Sequence, residues 1–164
     1  MPVIVRRTLY NPPMLETTPE DFVERHRHAA ARGTLYPQPE GSPLLEFVSG
    51  GRVLYLLDRC GPYAAPPGEA QVIVNGVLTR WQPEAGGPET LSVLGVSALE
   101  GCGQVLVPAG AGGPNTLVLR ARLPLVLSAY RSLREFAAGD WLSFSTEAPL
   151  HGFVLTGPAL RQVS

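Results

Sequence analysis

The chain has no lysine: all thirteen of its basic residues are arginine. Schiff-base chemistry and a phosphate-loop lysine are therefore closed to it. Cysteine is almost as scarce. Cys60 and Cys102 alone make neither a disulfide framework nor a zinc cage, so reduced thiols are expected. Charge is sparse, 16% of 164 residues with a net of −1, which leaves no electrostatic footprint for nucleic acid. No apolar run approaches a membrane span, and the start MPVIVRRTLYNPPM lacks the apolar core of a secretory signal. The expectation is a soluble protein of the cytoplasm or of a virion, with no membrane or nucleic-acid partner and no cofactor.

Apolar residues (45%) and turn formers (18 Gly, 17 Pro) are plentiful instead. Such a chain can bury about 68–70% of its unfolded surface as one domain, here 1–164. TPEDFVERHRHAAARG reads as a helix over about 19–32. Thr18 suits the N-cap, Pro19 N1 and Asp21 N3, and Gly33 suits C′; Phe22, Val23, His26, Ala29 and Ala30 share a face. Val3–Tyr10 is expected to be a strand before it. After it apolar segments spaced by turn residues predict strands at Leu44–Ser49, Arg52–Asp58, Ala70–Val74, Val77–Trp81, Leu91–Ser97, Val105–Val107, Thr116–Arg122, Leu125–Tyr130, Trp141–Thr146 and Leu150–Thr156. The fold class is mainly β, a single-domain sandwich or barrel with one N-terminal α-helix.

Two glycine-bearing stretches test that reading. VLVPAGAGGPNTLVL (Val105–Leu119) looks like a phosphate cradle, but Thr116–Arg122 has the two-residue period of a strand where a nucleotide loop must open a helix. It predicts a hairpin loop. Asn75-Gly76 predicts a two-residue type I′ turn joining Ala70–Val74 to Val77–Trp81. In that hairpin Ile73 and Leu78 share the side away from the core, an apolar pair that suggests a covered or interface surface.

Candidate chemistry is thin. His26 and His28 stand two apart on a helix and point in opposite directions, whereas a zinc helix uses i and i+4. His26 then belongs to the packed face, and His28 lies near Glu24. LDRCGPY ends a strand with Asp58, Arg59 and Cys60. There Arg59 would lower the thiol pKa, and His151 would supply a base from far along the chain, making Cys60 and His151 the candidate catalytic residues. Arg120, Arg122, Arg131 and Arg134 form a loose basic cluster with too few stacking aromatics for a nucleic-acid groove.

AGDWLSFSTEAPLHGFVL (Ala138–Leu155) resembles the second motif of cupins, small β-barrels in which a histidine at that place binds metal. The resemblance implies a small-molecule or enzymatic role for His151. The partner H-x-H has no strand counterpart, so no metal site is expected. LSVLGVSALEGCGQVLVPAG and LVLSAYRSLREFAAGDWLSFSTEAPLHGFVL, spanning about 92–155, resemble the small β-rich head or decoration proteins of tailed phages. That resemblance implies binding to a capsid lattice without catalysis.

Trp141, Ser143 and Ser145 alternate with Leu142, Phe144 and Thr146. Leu142 and Phe144 make the core face, which puts Trp141 on the polar side as a candidate anchor beside Ile73 and Leu78. The sequence thus points to a non-catalytic structural or binding protein acting through a protein partner or self-association. The alternative is a cupin-like barrel using His151.

Overall fold

The computed structural model describes residues 18–155, apart from 62, 111, 112 and 114. The strand expected at Val3–Tyr10 lies outside the described residues, as does Thr156. Helix α1 (Pro19–His26) starts where the sequence places it, with Thr18 Oγ1 accepting from the Asp21 amide at 3.1 Å. It ends six residues earlier than expected. A single 3₁₀ turn, Arg27–Ala29, follows, Ala30 is extended, and β1 (Ala31–Tyr36) begins. Strand pairing on both edges of β1 decides this, and Gly33 is a strand residue. A β-carbon there would lie 2.2 Å from the Val48 carbonyl oxygen, so this glycine permits close backbone approach and does not cap a helix.

β2 (Leu44–Ser49) and β3 (Arg52–Asp58) form the expected hairpin, paired from Leu44–Leu57 to Ser49–Arg52. The next strand corrects the reading. β4 runs unbroken from Gly68 to Glu84, and Asn75-Gly76 is no turn. Asn75 lies between two strands, and its buried Nδ2 donates to the Val126 carbonyl at 2.8 Å and to Ser128 Oγ at 3.3 Å. Gly76 faces Leu150 and Thr146 with no room to spare. A turn-forming pair has been used to bind and admit neighbouring strands.

β5 (Thr90–Leu94), β6 (Ala98–Val107), β7 (Thr116–Arg120), β8 (Pro124–Ser128), β9 (Trp141–Thr146) and β10 (Leu150–Val154) complete the sheet. The glycine-rich stretch does connect two antiparallel strands, β6 and β7. The pairings close two circuits that share β4. One runs β1-β2-β3-β10-β4 and the other β4-β8-β7-β6-β9. The result is a closed β-barrel core in a single domain. One apolar cluster fills both circuits, from Phe47, Leu54 and Leu56 to Leu119, Leu125 and Leu142. A second cluster lies outside, where α1 covers the barrel: Phe22 stacks on Phe153 at 4.4 Å between ring centroids, over Ile73, Val118 and Val126.

Candidate functional site

The outer side of β1-β2-β3 departs most from what water favours. In LLEFVS and RVLYLLD, Leu45, Phe47, Leu54 and Leu56 are buried inside the barrel. The alternate positions should then be polar, yet apart from Glu46 they are Leu44, Val48, Val53, Tyr55 and Leu57. The register lines them up. Thr34, Val48 and Val53 form one cross-strand row, and Tyr36, Glu46 and Tyr55 the next. The β5–β6 turn is tied to this sheet, because Ser97 Oγ donates to the Tyr55 carbonyl. Tyr36 is 46% exposed, Val53 44%, Leu94 41% and Val96 63%. A folded monomer rarely leaves so many apolar side chains together on its surface. The sequence carries the signal, apolar residues at both parities of β2 and β3, whereas β1 is masked by Gly33, whose place after a helical pattern mimics a helix cap.

The anchors expected from sequence fall elsewhere. Without the hairpin, Ile73 and Leu78 are an odd number of residues apart on one strand and point to opposite faces. Both are buried. Ile73 lies under α1 and Leu78 in the barrel core. Neither offers an outer surface, which corrects the interface expectation for that pair. β9 does alternate as expected, with Leu142, Phe144 and Thr146 buried and Trp141 half-buried on the other side. The segment after β4 leans on the indole: a β-carbon at Gly87 would meet Trp141 Cη2 at 2.9 Å.

Comparison with protein-family models, with curated proteins and with solved structures returns no match.

Arg59 and His151 do meet. β10 pairs in parallel with β3 at His151–Leu57, which brings Arg59 Nη1 to 2.9 Å from His151 Nδ1. Cys60 is hydrogen-bonded to neither: its thiol sits 3.9 Å from the Val154 carbonyl, in a surface cleft that it shares with Arg59 and with Glu20 and Glu24 of α1. Burial pushes the thiol pKa up, the Asp58 and Glu20 carboxylates add to the rise, and Arg59 offsets only part. Burial, then Arg59, pushes the His151 pKa down. The expected activation of Cys60 is thus reversed in sign, because desolvation outweighs the arginine. Among the described residues no three or more His, Cys, Asp or Glu side chains gather to hold a metal.

His26 is buried against Phe22, with ring centroids 4.6 Å apart, as its helix face implied. His28 stands in the 3₁₀ turn, and Glu24 pairs with Arg27 at 3.3 Å in its place. The arginine cluster is dispersed. Arg120 pairs with Glu89 at 3.6 Å, Arg122 Nε donates to the Gly50 carbonyl, and Arg131 lies over the Trp81 ring at 4.6 Å.

The outer face of β4, β9, β6 and β5 holds an open groove of about 630 Å³ floored by small polar side chains such as Ser143, Ser145, Cys102 and Thr90. At one end Glu84 Oε2 accepts from Ser143 Oγ at 2.8 Å and from Gln82 Nε2 at 3.2 Å, which lowers its pKa. Burial and Glu84 raise that of Cys102. The raised pKa keeps Cys102 a thiol, without the thiolate that a cysteine nucleophile needs.

Proposed function

We propose that this is a non-catalytic binding protein that works by assembly with a protein partner. The observation that carries the reading is the outer face of β1-β2-β3 with the β5–β6 turn, whose Tyr36, Val53, Leu94 and Val96 stay exposed on strands already apolar inside. The titratable side chains add weight, since burial and pairing move Cys60, Cys102 and His151 away from nucleophile and base roles. A virion surface is one setting for such a protein, as the resemblance of residues 92–155 to decoration proteins implies. The small-molecule reading built on His151 has less support, because Arg59 occupies its Nδ1.

The test is a Val53→Asp, Val96→Asp double variant, both positions being exposed enough to leave the fold intact. Stoichiometric partners co-purifying from the native source should be lost with the variant, while its melting temperature stays near that of the parent chain. Retention of every partner by the variant, or no stoichiometric partner of the parent chain, rejects the reading.

A further inference from the structure

We infer that the Tyr36-Glu46-Tyr55 row is a seat for a basic side chain, arginine or lysine, supplied by a protein partner other than this chain. The inference rests on the assembly reading above and adds the partner's chemistry. Tyr36 is directly opposite Glu46, and Glu46 directly opposite Tyr55, on three adjacent strands. Opposed residues on one sheet face have Cβ atoms about 4.5–5.5 Å apart, so Glu46 stands between Tyr36 and Tyr55 in the row. Tyr36 and Tyr55 are both on the outward parity of their strands, and the neighbouring outward residues Leu44, Val48, Val53 and Leu57 are apolar.

Glu46 is therefore a lone charge, half-buried in an apolar face. Among the described residues its carboxylate has no hydrogen-bond donor, and the ion pairs found there are Arg27–Glu24 and Arg120–Glu89. Partial desolvation without a partner is costly, and a cation arriving with an apolar surface removes that cost. The two rings add their quadrupoles, which attract the same cation. This charge pattern also argues against a symmetric pair of this chain across the face. A two-fold axis centred on this row would set one Glu46 against its copy in a surface closing to water.

The experiment uses the full chain with three blocked pentapeptides, acetyl-TVRVT-amide and its lysine and citrulline counterparts, followed by amide NMR shifts. Citrulline keeps the shape of arginine without its charge. The arginine or lysine peptide should move the amides of Tyr36, Glu46 and Tyr55, and the citrulline peptide should bind at least about tenfold more weakly. Glu46→Gln should weaken the cationic peptides by about the same factor with the remaining spectrum unchanged. Equal binding of the citrulline peptide, or indifference to Glu46→Gln, overturns the inference, as does light scattering that shows this chain pairing with itself through the face. If no peptide binds while the Val53→Asp, Val96→Asp variant still loses its partners, the cation seat is wrong and the assembly reading stands.

Discussion

Arg59 holds the ring of His151, with Nη1 2.9 Å from Nδ1. A guanidinium only donates, so Nδ1 accepts and the neutral ring carries its proton on Nε2. Protonating Nδ1 would break the contact and set two cations together. The His151 pKa is accordingly below the ordinary 6.5, through burial first and Arg59 second. Arg59→Gln should raise it part of the way back, because burial remains. Ring titration by NMR checks this, and an unchanged midpoint would show that the contact does not form.

His26 gives the steeper pH dependence. Burial, and then the nearby Arg25 and His28 charges, lower its pKa to about 4 from 6.5. The folded value is below the unfolded one, so the neutral ring's contribution is complete above about pH 6.5 and is lost as pH falls toward 4. Such a shift is worth about 3 kcal/mol across that window. His26→Leu keeps an apolar body against Phe22 and should flatten the acid limb of a denaturant-stability profile between pH 6.5 and 4. An acid limb as steep as that of the parent chain would place the sensitivity elsewhere.

Gly33→Ala and Gly86→Ala separate tight backbone from open loop. At Gly33 the new methyl meets the Val48 carbonyl and the Phe47 ring, whereas at Gly86 nothing lies within 4 Å. The first should cost about 3 kcal/mol and the second no more than about 0.5 kcal/mol in urea unfolding. Comparable losses at the two sites would contradict the close approach of β1 to β2.

Trp141 is half-buried under the segment that follows β4. Trp141→Ser should destabilise the monomer by about 2 kcal/mol, less than the 3–5 kcal/mol of a fully buried tryptophan, and leave partner binding unchanged. Weakened association at unaltered melting temperature would restore the role its place on the polar side of β9 suggested.

The legible parts of the fold were those set by local chemistry. Thr18 caps because its hydroxyl reaches an amide three residues on, and β9 alternates because one side of it is dry. The illegible parts depended on partners far along the chain. Nothing near Asn75 says that Val126 will accept from its amide, and nothing near Gly33 says that Val48 will press on it. The Arg59–His151 contact was half legible: the sequence points each of them at Cys60, but the burial that lowers the His151 pKa belongs to the tertiary structure. The apolar outer face was written in β2 and β3 and became visible only once their inner sides were known.

The double membership of β4 has a consequence during synthesis. Val72 pairs with Ala31 on one edge and with Val154 on the other. At 5–20 residues per second, the second partner emerges on the order of ten seconds after Val72 itself. Until then a long apolar strand waits with an open edge, the condition in which nascent chains pair with the wrong neighbour. Asn75 and Gly76, both poor β-formers, sit in the middle of its VIVNGVL run. The two residues that bind and admit strands in the finished barrel thus also lower the β-propensity of the unfinished strand.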